Sequence, residues 1–247
     1  MKVEILIVGG AGHIGLPLGL LFADQGKRVV LYDKNKKNIE MINNSLMPFI
    51  EEGGNRMLKK NKTRIFATND KSHVRSAKII IVCIGTPVKN NKPDLSFFFK
   101  MFKELKNELD PNKLLIIRSS IYPGTCKKIQ NFLGPKYKNI SYCPERVVQG
   151  KSITELPKLP QIISGTSKKS INESKKLFSI ICKKIIITSI LEAELIKLFS
   201  NAWRYINFSI SNQFYMICEN FGIDFKLLRK NMILGYERNK GIPSAGF

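Results

Sequence analysis

Short, continuous apolar runs and longer amphipathic stretches follow one another along the first part of the chain. The run VEILIVGG is typical of a parallel strand buried on both faces, and it breaks at glycines before HIGLPLGLLFADQGK, a helical pattern that ends at Gly26. A second apolar run, RVVLYDKN, follows directly. A strand, a glycine turn, a helix and a strand within about 30 residues predict a dinucleotide-binding unit.

Later segments repeat this pattern as far as residue 188. AKIIIVCIGTPV, KLLIIRSSIYPGT and NISYCPERVVQG each predict a strand, PDLSFFFKMFKELKNEL predicts a helix, and PQIISGTSKKSINESKKLFSIICKKIIITS predicts a strand, a helix and a strand. We therefore expect an α/β fold, a Rossmann-like doubly wound parallel sheet, over residues 1–188. Ligands of such sheets bind beyond the carboxyl ends of the strands, which puts Thr86 and Ser120 beside a cofactor.

The pattern changes at Leu191, where about thirty mostly apolar residues continue without proline or glycine as far as Gly222. They predict one long helix of a second, central helical domain over residues 189–247. A helix this apolar has to be covered, so we expect Leu191 to Phe221 to form the core of a symmetric homodimer.

Four polar residues of this helix lie on one stripe, because they are spaced by three, four and three positions: Glu194, Lys197, Asn201 and Arg204. Two interpretations are open. The stripe is either a solvated face with an exposed salt-bridging pair, or a set of functional groups. A desolvated lysine with an amide one helical turn away can take a hydroxyl proton and donate to a developing oxyanion.

The glycine turn after the first strand has the GxGxxG spacing, with Gly10, Gly12 and Gly15. We expect Gly10 to permit the tight turn, Gly12 to let the backbone approach a pyrophosphate, and Gly15 to let the helix pack against the sheet. Asp33 ends the second strand, where a carboxylate binds the adenosine ribose diol and repels a 2′-phosphate. The expected cofactor is NAD rather than NADP, although the adjacent Lys34 weakens that preference.

Composition narrows the class of protein. With 247 residues and 43% hydrophobic residues the chain is not disordered, and no apolar run approaches the ~20 residues of a membrane span. The first segment, MKVEILIVGG, is too short and, with Glu4, too acidic for a signal peptide. We therefore expect a cytoplasmic protein without a membrane partner. The five cysteines form no CxxC pair, which predicts reduced thiols and no metal site.

The net charge of +22 is compatible with nucleic-acid binding or with a lysine-rich surface. The lysines are scattered rather than gathered in a stripe, and no nucleic-acid-binding motif accompanies them. We therefore expect no nucleic-acid partner.

Six segments, in order, carry a resemblance: GGAGHIGLPLGL, YDKN, CIGTPV, RSSIYPGT, CPERVVQGKSITELPKLPQIISG and EAELIKLFSNAWRYIN. Together they resemble the UDP-glucose/GDP-mannose dehydrogenase family across essentially the whole chain. The resemblance implies NAD-dependent oxidation of a nucleotide sugar, a UDP-hexose, at C6 to the uronic acid, through a thioester on a cysteine. It also implies a role in polysaccharide biosynthesis.

The resemblance also assigns residues. Glu145 would assist hydrolysis of the thioester, and Lys197 and Asn201 would contact the reacting sugar oxygen. Ser120 stands where many relatives have threonine, and Gln149 where some have a second glutamate, which leaves Glu145 as the base there. The residues implied to hold or flank NAD are Gly10, Gly12, His13, Ile14, Gly15, Asp33, Thr86 and Ser120.

Relatives place the nucleophilic cysteine in a glycine-rich loop after the long helix, followed by a domain that binds the nucleotide sugar. None of the five cysteines matches that position, and GIPSAGF resembles the beginning of the loop. We expect a truncated chain that stops short of the nucleophile and is inactive alone. Two alternatives remain open: another Rossmann dehydrogenase of the hydroxy-acid type, or a non-catalytic NAD-binding or dimerisation module. The sugar is not identified, although CPERV leans towards N-acetylated substrates.

Overall fold

The structure is a computed structural model that describes residues 3–90 and 92–246. Two compact units divide the chain, the first ending at Lys197 and the second beginning at Leu198. The strands, all in the first unit, are β1 (Ile5–Val8), β2 (Val29–Tyr32), β3 (Ile65–Thr68), β4 (Ile79–Val82), β5 (Val88–Lys89), β6 (Lys92–Pro93), β7 (Leu114–Ile117), β8 (Ile140–Tyr142), β9 (Gln161–Gly165) and β10 (Ile185–Ile187).

Helices connect these strands and continue into the second unit. They are α1 (Gly15–Asp24), α2 (Lys36–Asn43), α3 (Gly54–Lys60), α4 (Ser72–Ser76), α5 (Ser96–Leu105), α6 (Thr125–Leu133), α7 (Ser152–Glu155), α8 (Lys168–Phe178), α9 (Ile190–Asn220) and α10 (Phe225–Ile233), with a 3-10 turn at Glu237–Asn239.

Within the described residues, eight strands form one sheet in the order β10-β9-β8-β7-β4-β1-β2-β3, and β5 and β6 form a small hairpin. Within the eight-stranded sheet, neighbouring strands are parallel except β8 and β9, which pair antiparallel with Ser141 opposite Gly165. The predicted Rossmann-like, doubly wound fold is confirmed. The reversal at β9 was not predicted, and it brings the first residue of β9, Gln161, to the edge where β7 and β8 end.

The sheet is covered on both faces, which explains why its strands are continuous apolar runs. Ile7 of β1 contributes to a core with Phe22 of α1 and Phe178 of α8. The next residue back along the strand, Leu6, points to the other core, with Phe98 and Phe102 of α5. The alternation of side chains along a strand produces this division.

The long helix α9 begins with a capping box. The Ser189 N–H donates to the Glu192 carboxylate, and the Glu192 N–H donates to the Ser189 hydroxyl at 3.3 Å. The helix then runs for 31 residues, as the apolar pattern predicted. No helix in the described part of the chain is long and apolar enough to cross a membrane.

The second unit consists of most of α9, α10 and the segment that follows. The Asp224 side chain caps α10, accepting from the Lys226 N–H at 2.7 Å, and Tyr215 of α9 meets Phe225 edge to face. Large apolar side chains of α9 are nevertheless exposed, with Trp203 70% and Phe199 65% accessible.

Candidate functional site

Two adjoining cavities lie along the edge where the parallel strands end, and we call them together the carboxyl-edge groove. The first, of about 280 Å³, lies beyond β1 and β2 and is bounded by α5. The second, of about 480 Å³, lies at the start of α1 and beyond β4, β7 and β8. Both are lined by Ile84 and Gly85, so one elongated ligand can cross from one cavity to the other.

The glycine turn that separates β1 from α1 is built by close backbone contacts. Gly9 adopts a left-handed conformation with φ of 76°. A Cβ on Gly15 would lie 2.4 Å from the Gly9 carbonyl oxygen, and a Cβ on Gly10 would lie 2.6 Å from the Leu31 Cα. Gly9, which the GxGxxG spacing does not include, therefore makes the turn, while Gly10 and Gly15 permit close packing. Gly12 lines the second cavity at the start of α1, where helix N–H groups favour phosphate.

Asp33 lies in the first cavity with its carboxylate already oriented. Its Oδ2 accepts from the Ala11 N–H and its Oδ1 from the Asn35 N–H, both at 3.0 Å. Lys34 points to Glu104 of α5, with Nζ and Oε2 2.7 Å apart, and this ammonium lowers the pKa of Glu104. Lys34 is thus engaged by a second carboxylate that lines the same cavity, which reduces its capacity to hold a 2′-phosphate.

The second cavity brings together the predicted residues from three different loops. His13 and Ile14 come from the start of α1, and the His13 ring stacks on Phe49 with centroids 4.0 Å apart. Thr86, which follows β4, donates its hydroxyl to the Ser120 carbonyl, which follows β7. The sequence prediction placed these residues together, and the structure brings them to one cavity.

A buried arginine, Arg118, lies beneath this cavity at the end of β7, and no motif predicted it. Its guanidinium donates to the Cys143 carbonyl and to Gln161 Oε1, each at 3.0 Å, and is paired with the Glu145 carboxylate. Phe178 lies 5.1 Å from its Cζ. Burial is the largest influence and opposes its charge, but the attraction of Glu145, together with that of Cys83 and Cys143, raises the pKa of Arg118 overall. The sequence did contain one indication of this role, because Arg118 is a charged residue directly after the apolar run LLII.

Glu145 is therefore fixed from both sides. Its Oε2 faces Arg118, and its Oε1 accepts from the Arg146 and Val147 N–H groups at 2.7 and 3.1 Å. Its backbone carbonyl accepts from the Lys197 ammonium of α9. The structure thus connects Arg118, Glu145 and Lys197 in one network at the wall of the second cavity.

Glu194, one turn before Lys197, is completely buried. Its carboxylate accepts from the Gly124 N–H at 2.6 Å and from the Cys126 N–H at 2.9 Å, at the start of α6. A carboxylate at a helix N-terminus satisfies N–H groups that lack intrahelical partners. The alternative of an exposed salt bridge between Glu194 and Lys197 is therefore wrong, and Glu194 instead attaches the first turns of α9 to the start of α6. Asn201 follows Lys197 on α9 and belongs to the second unit, where it is half-buried.

The cysteines of the first unit are poor nucleophiles. Burial raises the pKa of Cys83 and of Cys143 to about 12 and that of Cys182 to about 11, and it raises the pKa of Cys126. Cys83 lines the second cavity, but its thiol stays protonated at neutral pH, and the thiolate is the reactive form. In the second unit Cys218 is buried in α9.

Comparison with known families identifies both parts of the chain. Residues 2–182 match the NAD-binding domain of the UDP-glucose/GDP-mannose dehydrogenase family, and residues 191–247 match its central domain. The groove has the features that NAD requires: a helix start for the pyrophosphate and an oriented carboxylate for the ribose. These matches favour this family over the hydroxy-acid dehydrogenases.

Individual proteins with similar sequences are named as nucleotide-sugar dehydrogenases. A UDP-N-acetyl-D-mannosamine dehydrogenase from Pyrococcus horikoshii is 31% identical over 91% of this chain and 55% of its own length. The UDP-glucose 6-dehydrogenase TuaD from Bacillus subtilis is 29% identical over 89% of this chain and 50% of its own length. The chain thus spans about half the length of the curated relatives it matches.

Solved structures share the fold. The structure of a UDP-D-ManNAc dehydrogenase from Pyrococcus horikoshii superposes with a TM-score of 0.89, at 29% identity, over 99% of this chain and 60% of that one. A GDP-mannose dehydrogenase from Pseudomonas aeruginosa, at 21% identity, has a TM-score of 0.84 over 97% of this chain and 58% of its own. The chain belongs to the UDP-glucose/GDP-mannose dehydrogenase family, and its first unit carries that family's NAD-binding domain.

Proposed function

We propose that this chain supplies the NAD site and the proton-transferring residues for oxidation of a nucleotide sugar at C6 to the uronic acid. The observation that carries the proposal is the second cavity. It is lined by the helix-start residues His13 and Ile14 and also by Ser120, Glu145 and Lys197. One end of a cofactor that spans the groove would therefore lie beside side chains that can donate or accept a proton.

The groove would bind NAD in one orientation. Asp33 would accept from the ribose hydroxyls in the first cavity, and Gly12, His13 and Ile14 would hold the pyrophosphate at the start of α1. When bound, NAD supplies the hydride acceptor. Thr86 would border the nicotinamide end, where its bond to the Ser120 carbonyl fixes the two loops.

Lys197 would act on the hydroxyl that is oxidised. Its side-chain nitrogen donates to the backbone carbonyl of Glu145, in the segment that follows β8, and Lys197 lines the second cavity there. In its neutral amine form Lys197 can accept the hydroxyl proton, and Asn201 can donate to the oxygen as negative charge develops there.

Glu145 would orient a water molecule in the hydrolytic step, with the Ser120 hydroxyl nearby. A carboxylate offers about four acceptor positions. Arg118 and two backbone N–H groups occupy three positions of Glu145, which leaves room for one further donor. Such a fixed carboxylate suits positioning of the attacking water.

The nucleophilic cysteine and the main nucleotide-sugar-binding surface would lie outside these 247 residues. The raised thiol pKa values of Cys83 and Cys143 support the first part of this statement. UDP-N-acetyl-D-mannosamine is the substrate that we propose first, because relatives with 31% and 33% identity carry that name.

We also propose that the chain forms a homodimer through α9. Trp203, Phe199 and Phe221 of its second unit are 70%, 65% and 76% accessible. Burial of each would contribute roughly 1.5–3 kcal/mol, which favours a second copy of the same helix as the covering surface.

The test is a chimera in which this chain is joined to the remaining carboxyl-terminal part of the Pyrococcus horikoshii relative. We expect NADH to form from UDP-N-acetyl-D-mannosamine. Lys197→Ala should slow turnover by about 100-fold or more, as for loss of a general acid or base.

The matched control is Lys158→Ala, because Lys158 is exposed and outside the groove. Calorimetry with NAD would establish that each variant is folded. If the chimera binds NAD and turns over equally well with alanine at position 197, the proposed role of Lys197 is wrong. If it binds NAD and oxidises no nucleotide sugar, the proposed activity is wrong.

A further inference from the structure

A second cavity of ligand size lies at the opposite edge of the sheet, and we call it the basal pocket. Its floor includes Ile5, Ile79 and Leu114, the first residues of β1, β4 and β7, together with Leu177 of α8. The three strand residues are register partners, Ile5 with Ile79 and Ile79 with Leu114. The floor is therefore a continuous apolar surface on three adjacent strands.

Four lysines surround this apolar floor: Lys27, Lys78, Lys113 and Lys176. Two acidic residues, Glu4 and Glu173, also line the pocket, and both are already engaged. Glu4 accepts from Lys27 at 3.2 Å, and Glu173 accepts from the Asn139 amide at 2.8 Å. The pocket thus has a surplus of positive charge around an apolar base.

Two of the four ammonium groups are available. Lys27 is paired with Glu4, and Lys113 donates to the Arg75 carbonyl. Among the residues that the structure describes, the ammonium groups of Lys78 and Lys176 donate no hydrogen bond and lie within 4.0 Å of no carboxylate, although Lys78 is close enough to Glu4 to help lower the pKa of that carboxyl. Lys176 directly precedes the floor residue Leu177 on α8, and it lines the pocket beside the floor.

The pocket has the size and composition of a small-molecule site. Its volume is about 400 Å³, within the roughly 300–1,000 Å³ range of ligand pockets, which are mostly apolar with a few polar groups. An apolar floor attracts a ring or hydrocarbon body, and unpaired lysines attract an anionic group. Neither a simple inorganic anion nor a neutral ring satisfies both parts.

We propose that the basal pocket binds a small amphipathic organic anion, an apolar ring system that carries a phosphate. The ring would lie on Ile79, Leu114 and Leu177, and the phosphate would bind Lys78 and Lys176. The strands between the basal pocket and the carboxyl-edge groove are four residues long, about 13 Å at strand geometry. The two sites are therefore separate, and this proposal does not depend on the proposed oxidation.

The test is calorimetry of the 247-residue chain with 1-naphthyl phosphate as the probe. We expect it to bind at least tenfold more tightly than inorganic phosphate or neutral 1-naphthol, and to bind equally well when NAD is saturating. The double variant Lys78→Ala/Lys176→Ala should weaken probe binding at least tenfold. The matched control Lys59→Ala/Lys158→Ala removes the same charge from exposed positions outside the pocket and should leave binding unchanged.

A second variant tests the preference of the pocket for an anion without removing a lysine. Ile180 borders the pocket and is 36% accessible, so Ile180→Asp places a negative charge at the mouth with little disturbance of the core. It should abolish probe binding while NAD binding is retained. An equal loss in both double lysine variants, displacement of the probe by NAD, or no detectable binding would each overturn the proposal.

Discussion

Replacement of Arg118 by methionine tests the network that supports the second cavity. Arg118 is 2% accessible and its partner Glu145 is 7% accessible, so the ion pair is almost completely removed from water. Methionine fills similar space and keeps contact with Phe178, but it leaves the Glu145 carboxylate, the Cys143 carbonyl and the Gln161 side chain without their donor. The substitution therefore measures how much the charge and hydrogen bonds of the guanidinium contribute to stability.

The expected loss is about 3–5 kcal/mol of unfolding free energy, the range for removal of one member of a buried ion pair. This is a large part of the roughly 5–15 kcal/mol by which domains are stable. Glu145→Gln should also destabilise, because it leaves the arginine charge buried without a counter-charge. The double variant should lose about 0.5–3 kcal/mol less than the sum of the single losses, because the two side chains contact each other.

Urea denaturation followed by circular dichroism measures these values without adding salt. Arg75→Met is the matched control, because Arg75 pairs with Glu108 at 3.1 Å but its side chain is 72% accessible. Exposed pairs contribute about 0–1 kcal/mol, so this control should change little. A loss below about 1 kcal/mol for Arg118→Met, equal to the control, would refute the argument from the buried pair.

Three further predictions concern the titration of Glu192, the oligomeric state and the reactivity of the thiols. Hydrogen bonds from Thr188 and Ser189 lower the pKa of Glu192 from 4.5 to about 2, so its stabilising effect is complete above about pH 4.5 and is lost as the pH falls towards 2. The difference in urea midpoint between the wild type and Glu192→Gln should therefore disappear at about pH 2, and a constant difference would contradict the assignment. Sedimentation velocity should detect a dimer that Trp203→Glu dissociates, whereas a monomeric wild type at micromolar concentration would exclude the dimer. The 247-residue chain alone should form neither NADH nor a protein thioester with UDP-N-acetyl-D-mannosamine, since burial raises the pKa of the four first-unit thiols and Cys218 is buried in α9; absorbance and intact-protein mass measurements check this, and sustained NADH formation would contradict it.

The sequence predicted those elements that a short, continuous stretch of residues specifies. The β1 apolar run, the glycine turn and Asp33 lie within about 30 residues, and a single periodic stretch specifies α9. Thr86 and Ser120 were placed correctly relative to each other because parallel strands end at one edge of a sheet.

Contacts between distant segments were not predictable in the same way. Gln161 meets Arg118 only because β9 runs antiparallel to β8, and no apolar run encodes strand direction. The pairing of Lys34 with Glu104 joins residues 70 positions apart. Glu194 was indistinguishable from a solvated helix residue until the packing of α6 against it was known.

Calorimetry of the 247-residue chain with NAD and with NADP tests whether the carboxyl-edge groove binds NAD and whether Asp33 selects it over NADP. We expect tighter binding of NAD, and a loss of about 1–3 kcal/mol of NAD binding energy in Asp33→Ala, as for removal of a charged hydrogen-bond partner. Asp110→Ala, which removes a carboxylate that accepts from the Asn112 N–H away from the groove, should bind NAD normally. Equal or tighter binding of NADP by the wild type, or unchanged NAD binding in Asp33→Ala, would contradict the account.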